Sequence, residues 1–554
     1  MKLLPIRQNV STVLFFSLIL FTCSASLSQP AFPGAEGFGS DTPGGRGGQI
    51  IEVTNTNASG PGSFRAACAA NGPRLVVFKI GGTIDITNDI TIANPFITIA
   101  GQTAPGDGIC IKGAGLQIRT HDVVIRGLRV RVGDAEKGVE PSNRDGISIA
   151  NSNIEPYNII IDHCSVSWAI DGNIDLWYPC YDITIQWCII SEGLHNSTHP
   201  KGGHSTGLLV GDHAQQISVH HNLFAHNNGR NPLMKFDTET EVINNVIYNW
   251  GSWGATDFSN YEESDDIHIA NIIGNYYKEG LRNRYSMPIR LNSDRIRPGT
   301  RVYVHDNIAR QRPDSTWDDW RLVQGGEQFR VDTPAMPLSN VTISSAFEAF
   351  DAVLNNAGAH PDQRDVVDAR IVKHVREKKG NIVDSQEDVG GWPAYDSGIS
   401  PVDTDHDGMP DDWETARGLN PEDPSDAHGI ELSAEGYTNI EVYINSFFEF
   451  ITTSIGSKKT LPRDLNLGQN YPNPFNPHTT IPFRLERRSR VSLSVHNTLG
   501  GKLKTLIDDN RNRGVYQVHW NGTDALGRKA PSGIYFIRMT TDGATFVRKA
   551  LLVD

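Results

Sequence analysis

The chain has little cysteine, methionine or aromatic content: six Cys, six Met and 8% Phe, Trp and Tyr among 554 residues. It also lacks an excess of positive charge. The formal net charge of -14 argues against a nucleic-acid binder, which normally presents a basic surface. Beyond the N-terminus no run is long and apolar enough to look transmembrane. Leu, Lys and Glu do not dominate, whereas Gly (53) and Pro (30) are plentiful, so an all-helical protein is disfavoured. The length exceeds one ordinary compact core and implies several domains or a repeat solenoid.

Lys2 and Arg7 flank a short apolar run, Val10 to Cys23, followed by small residues from Ser24 to Ser28. This reads as an export signal over residues 1–28, and a secreted protein is expected. A retained anchor is the alternative, but the run is short for a bilayer. A lipoprotein site at Cys23 fits poorly with Thr22 before it. Removing Cys23 leaves Cys68, Cys110, Cys164, Cys180 and Cys188, an odd set without zinc-site spacing. Buried small hydrophobes are expected rather than a disulfide framework.

Short β-branched runs recur along the chain, among them Val123–Arg131, Asn158–Val166, Asp182–Ile190, Gln216–Phe224 and Glu241–Tyr248. Superposing the runs aligns Gln102, Leu128, Cys164, Cys188, Asn222, Asn245, Asn275 and Asn307. The steps are irregular, roughly 23 to 36 residues, as in a solenoid whose turns carry different loops. A β-sandwich would show similar alternation; the aligned asparagines favour a solenoid in which each amide bonds the next turn. The solenoid is expected over residues 30–345. A helical tail follows at 346–395, with Phe347, Phe350, Val353 and Leu354 on one face. Residues 396–451 hold an acidic loop and a helix, Ile440 to Phe450. A polar linker spans 452–464, and a small β-sandwich spans 465–554.

Two groups of residues can carry chemistry in the solenoid. Asp145 opens a run Asp145–Ile149, and Asp171 and Asp175 form D-G-N-I-D one turn later. Stacking would bring these carboxylates to one face, where they could hold a hard cation such as calcium. Ordinary Asp-Gly turns are the alternative. The second group is basic: Arg230 and Lys235 lie close to a histidine-rich stretch that includes His195, Lys201, His204, His220, His221 and His226.

Several motifs occur in a specific order: AFPGAEGFG (Ala31–Gly39), GGRGG, SGPGSFR, ITIAGQTAPGDGI, IIIDHCSVSW, DITIQWCIISEGL and HHNLFAHNNGRNP (His220–Pro232). From about Ala31 to Asn307 they resemble the pectate lyases of polysaccharide lyase family 1. That resemblance implies a right-handed parallel β-helix and calcium-assisted β-elimination on polygalacturonate or pectin. The family's R-x-P-x-x-R element matches Arg230 to Lys235, implying Arg230 as base and Lys235 as the second basic position. The calcium carboxylates fall on Asp145, Asp171 and Asp175, and a further family Asp falls on Asn143, which can offer only an amide oxygen. The substrate-binding Lys aligns near His195, with Lys201 as an alternative. A guanidinium normally stays protonated, so a base role needs a desolvated site beside calcium and Lys235, and an alkaline optimum is expected.

Asp403-Thr404-Asp405-His406-Asp407-Gly408-Met409-Pro410-Asp411-Asp412-Trp413-Glu414 carries EF-hand ligand spacing. Asp403, Asp405, Asp407, Asp411, Glu414 and the Met409 carbonyl are expected to hold a structural calcium. Pro410 departs from the paired EF-hand, and the loop resembles those of dockerins or thrombospondin repeats; a solvated acidic turn is the alternative. Leu467–Pro477 and the segment from Ser532 to Asp554 resemble the C-terminal sorting domains of type IX secretion, which implies that machinery as a partner. A carbohydrate-binding module with an exposed Trp520 competes with that reading. A monomer is expected. Two rival functions remain at this level, a β-helix glycoside hydrolase and a non-catalytic adhesin. The hydrolase would need an acid and a base flanking the bond, and no N-T-D or R-I-K element is present.

Overall fold

Successive coils of the chain each give one strand to three parallel sheets, which hold ten, nine and eight strands among the described residues. The structure is a computed structural model. It describes residues 29–448, apart from 212, 236, 252–253, 260–266, 281–286 and 292–295. It also describes 467–553, apart from 468–469, 471–472, 474, 486–488, 498–500, 512–513 and 542–543. The expected export signal (1–28) and linker (452–464) lie outside the described residues.

One coil shows the plan. Tyr157–Asp162 joins the ten-stranded sheet, Ser165–Ser167 the eight-stranded sheet and Gly172–Trp177 the nine-stranded sheet. The next coil repeats the order with Tyr181–Gln186, Ile189–Ser191 and Thr206–Val210. Pairing is parallel and in register, so Ile159 lies opposite Ile183, and Ile183 opposite Ile217. Alternation then decides the faces. Ile159 and Ile161 enter the central core, while Ile160 points outward against Ala31, Phe32 and Ala35. This is a parallel β-helix.

The corner between the first two strands explains the aligned asparagines. Its first residue is left-handed in coil after coil: His163, Trp187, His221, Asn244, Gly274 and Asp306, with φ between 47° and 64°. Its second residue is Cys164, Cys188, Asn222, Asn245, Asn275 or Asn307. Each Asn Oδ1 accepts the backbone N–H of the preceding coil at 2.9 Å, from Cys188, Asn222, Asn245 and Asn275 in turn. All five described cysteines are buried and free of disulfides, as their odd number implied. Replacing Asn245 by leucine would orphan the buried Asn222 N–H and remove the Asn245 Nδ2 bond to the Val219 carbonyl at 2.8 Å. A loss of about 1–3 kcal/mol for each group left unpaired is expected, measured from the urea midpoint.

Two outer faces are covered. Helices Ala346–Asn356 and Val366–Glu377 press Val353, Leu354, Ile371 and Val375 onto Ile189, Leu223 and Val246 of the eight-stranded sheet. Each such side chain contributes roughly 1.5–3 kcal/mol on full burial. The apolar face differs from the expected one: Phe347 is 40% exposed, and the small Ala346 and Ala349 take the buried positions instead. Buried Arg131 fixes the second helix through Asp365 (2.7 Å) and Asp368 (2.9 Å). Residues 403–448 cover the start of the ten-stranded sheet, with Met409, Ile440 and Ile444 against Leu75, Val77 and Ala100. Their helix runs Asn439–Ser446, shorter than expected.

A separate unit, residues 456–554, is antiparallel. Thr479–Leu485 pairs with Gly514–Trp520, and a four-stranded sheet runs Lys502–Arg511, Ser489–His496, Gly533–Thr541, Ala544–Leu552. Trp520 corrects an expectation. It is fully buried in this unit's core and its Nε1 donates to the Thr523 carbonyl at 2.9 Å, so it is no sugar platform. Among the described residues no helix is long and apolar enough to cross a membrane.

Candidate functional site

The candidate site forms where coils enter the nine-stranded sheet. Asp145 precedes Ile147–Ala150, Asp171 precedes Gly172–Trp177, residues 192–205 precede Thr206–Val210, and Arg230 precedes Leu233–Lys235. Adjacent strands lie about 4.8 Å apart, so groups far apart in sequence stack at one corner. Asp145 stands two residues ahead of its strand rather than opening it. Asp175 lies within its strand; Ile174 and Leu176 enter the core, which sends Asp175 outward. It belongs to a row with one residue per coil: Ser148, Asp175, Leu209, Leu233, Asp257 and Arg290.

Carboxylate oxygens of Asp145, Asp171 and Asp175 all lie within 4.8 Å of one another. Asp145 Oδ1 accepts the Gly172 N–H at 2.9 Å, while Asp175 Oδ1 is buried without a partner. Gly172 is required sterically, because a Cβ there would sit 2.1 Å from Asp175 Oδ1. Burial, with Asp171 adding to it and Arg230 opposing it, pushes Asp175 up to about 7. Burial and the two neighbouring carboxylates raise Asp145 well above its ordinary value. Asp171 goes the other way: burial works against it, but the His204 hydrogen bond and the Arg230 charge hold it low.

Arg230 is drawn to this cluster. Its Nη1 lies 3.5 Å from Asp175 Oδ2, and its side chain is 19% exposed. The backbone is left-handed at φ 56°, which costs an arginine on the order of 1 kcal/mol and is held by the fold around it. Lys235 ends its strand with Nζ 4.4 Å from the Trp177 ring centroid. Trp177 and Asp175 are two apart on one strand and share a face. The structure thus brings together Arg230, Lys235, Asp145, Asp171 and Asp175.

The other expected residues are placed differently. Asn143 is exposed in the turn Pro141–Asn143. His195 Nδ1 donates to the His204 carbonyl at 3.1 Å, and Lys201 is exposed. The buried pair His199 and His204 contacts the acidic cluster instead. Their rings stack at 3.9 Å, and their Nε2 atoms stand 3.8 and 2.8 Å from Asp171 Oδ1. His199 Nδ1 accepts the Lys201 N–H at 3.1 Å, which leaves its proton on Nε2, facing Asp171. His199 and Trp177 were not singled out from the sequence. Counting along the strand would have placed Trp177 on the face of Asp175, whereas His199 lies in the loop before Thr206–Val210, where no such count applies.

In the acidic loop, Asp403, Asp405 and Asp407 cluster, and Glu414 joins Asp407. Asp411 does not join them; its two oxygens accept the Thr404 N–H (2.8 Å) and hydroxyl (2.7 Å). Met409 places its side chain in the apolar core, and its N–H donates to Asp407 at 2.8 Å.

No family model matches the chain. A probable pectate lyase C of Aspergillus oryzae is 36% identical over 451 residues, spanning 79% of this chain and 98% of that protein. Its namesake in Neosartorya fischeri is 37% identical over 447 residues, with 79% and 98% covered. Among solved structures, a Bacillus pectate lyase in complex with trigalacturonate is 17% identical, covers 59% of this chain and 98% of its own, and has a TM-score of 0.42. With more than a third of the residues identical over nearly the full length of these relatives, the chain belongs to the pectate lyase family and is a polysaccharide lyase.

Proposed function

We propose that the protein is a secreted, calcium-dependent pectate lyase that cleaves polygalacturonate by β-elimination with Arg230 as base. The observation that carries this reading is Arg230 Nη1 at 3.5 Å from Asp175, beside two further converging carboxylates. The donor set fits calcium: three hard oxygen ligands, one of them a buried oxygen with no partner. Asp145, Asp171 and Asp175 would hold the calcium, which would supply Lewis-acid stabilisation to the C6 carboxylate of the uronate. Arg230, as the neutral guanidine, accepts the C5 proton, since a guanidinium has no free electron pair to do so. The C5–H electron pair becomes the C4=C5 double bond, the C4–O4 bond breaks, and O4 is protonated by water. Lys235, positioned over Trp177, provides a fixed positive charge for substrate carboxylates in an otherwise acidic protein. Convergence of the carboxylates suits a cation better than hydrolysis, which needs an acid and a base across the bond.

The test is the purified chain on polygalacturonate, reading the ultraviolet absorbance of the unsaturated product. Activity that rises into the alkaline range and vanishes with chelator is expected. An acidic optimum insensitive to chelator overturns the reading. With Asp175 raised to about 7, protons compete with calcium for it. Because Asp145 is raised as well, apparent calcium affinity should fall as pH drops through that range, by up to about tenfold per unit for each proton displaced, in a calcium titration of the rate.

His204 acts through Asp171 as a positioning residue. His204→Leu is expected to weaken apparent calcium affinity by roughly 10–100-fold, with a smaller change in kcat at saturating calcium. His204→Gln, which offers an N–H near the same place, should recover most of it. Export is part of the same proposal: the N-terminal apolar run and the likeness of residues 465–554 to type IX sorting domains support a destination outside the cell.

A further inference from the structure

The acidic loop at 403–414 plays no part in the chemistry above, and it is joined by a residue outside its motif. Asp426 lies in the turn Asp426–His428 and comes within 4.8 Å of Asp407 and Glu414, while Asp407 also clusters with Asp403 and Asp405. Each aspartate uses one oxygen locally. Asp403 Oδ2 accepts the Gly408 N–H at 3.0 Å, Asp405 Oδ1 the Asp407 N–H at 3.3 Å, Asp407 Oδ1 the Met409 N–H at 2.8 Å and Asp426 Oδ2 the Asn420 N–H at 2.9 Å. The other oxygen of each is buried with no partner, and so are both oxygens of Glu414. Glu414 is completely buried and Asp407 is 2% exposed.

Six unpaired anionic oxygens facing one another inside a protein are costly unless a cation satisfies them. Burial and mutual repulsion push Asp407 up to about 7 and Glu414 up to about 8. The nearest base, Lys79, is already committed to Asp403 Oδ2 at 3.0 Å. Oxygen-only donors, more than four in number, suit calcium.

The loop is also bolted to the β-helix. Lys79 follows the strand Arg74–Phe78, and Met409 is fully buried against Leu75, Val77 and Ala100. Gly408, left-handed at φ 90°, lies so close to the sheet that a Cβ would meet Ile50 at 3.1 Å and Val77 at 3.4 Å.

We propose that Asp403, Asp405, Asp407, Glu414 and Asp426 form a second calcium site that clamps residues 403–448 onto the ten-stranded sheet. It differs from an EF-hand loop in its ligands, because Asp426 takes part and Asp411 instead pins Thr404. Its role is to hold the fold together, and it does not depend on the catalytic reading.

The experiment uses the full chain without substrate, with thermal unfolding and calcium equilibrium dialysis as readouts. Calcium at a hundredfold excess over Kd should raise the Tm of the β-helix unit by about 3 °C, and chelator should reverse it. Glu414→Gln and Asp426→Asn should each cut that shift to the part due to the Asp145, Asp171 and Asp175 site and remove one bound calcium per chain. Asp411→Asn should retain the calcium, and in an Asp175→Asn background the shift that remains should be lost on adding Asp426→Asn. A shift and a calcium count that both Glu414→Gln and Asp426→Asn leave unchanged, or a wild-type chain whose Tm ignores calcium, overturn the proposal. Should Glu414→Gln fail to fold, the milder Asp426→Asn decides alone.

Discussion

Arg230→Ala is expected to slow elimination by roughly 10²–10⁴-fold, the usual range for losing a positioned general base. The side chain is only partly buried and its ion pair is with Asp175, so the coils around it should remain intact. Calcium binding separates this loss from a damaged site. The guanidinium is a positive charge 3.5 Å from a carboxylate proposed to hold a cation. Removing it relieves repulsion on that cation, so Arg230→Ala should bind calcium at least as tightly as the wild type while being nearly inactive. Arg230→Lys keeps the charge but not the planar group, and should rescue little. Unchanged activity in either variant would show that another group takes the proton.

Asp175→Asn carries the second large effect. The substitution keeps size and removes one of three charges, and a fall in rate of roughly 10²–10³-fold is expected at moderate calcium, partly recovered by more calcium. Stability should move in the opposite direction. The carboxyl of Asp175 is raised to about 7 in the folded protein, above its unfolded value of about 3.9. A raised acid binds its proton more tightly when folded, so it opposes folding increasingly as pH climbs from about 4 to about 7, and fully above. The penalty is on the order of 1.4 kcal/mol per unit of that difference. In chelator at pH 8, Asp175→Asn should therefore have a higher Tm than the wild type. With calcium present the advantage should shrink, because the ion offsets the charge in the wild type alone.

The coil repeat was legible in the sequence because Asn222, Asn245, Asn275 and Asn307 mark a corner whose geometry demands the same thing each time. The acidic trio was legible because Asp145, Asp171 and Asp175 sit at or near the starts of strands one coil apart, and Arg230 because Arg230 to Lys235 resembles the family's R-x-P-x-x-R element. What was hidden depends on loops of unequal length. Residues 192–205 fold back so that His199 and His204 reach Asp171, more than twenty positions earlier, and no periodicity announces such a return. Asp426 escaped because it lies beyond a twelve-residue motif that already looked complete. Trp520 was misjudged because alternation shows that two faces exist without showing which one is covered. The same ambiguity applies to Phe347, which is 40% exposed while Ala346 and Ala349 are fully buried.

The outward row of Ser148, Asp175, Leu209, Leu233, Asp257 and Arg290 has a property of a graduated scale, with marks about 4.8 Å apart. A linear polymer lying along it would be measured off coil by coil, with the graduation at Asp175 beside the proposed base. Adding or deleting a whole coil at either end would alter how many units are gripped without moving the reacting one. Reach and reactivity are therefore inherited on separate axes, one along the stack and one within a single rung.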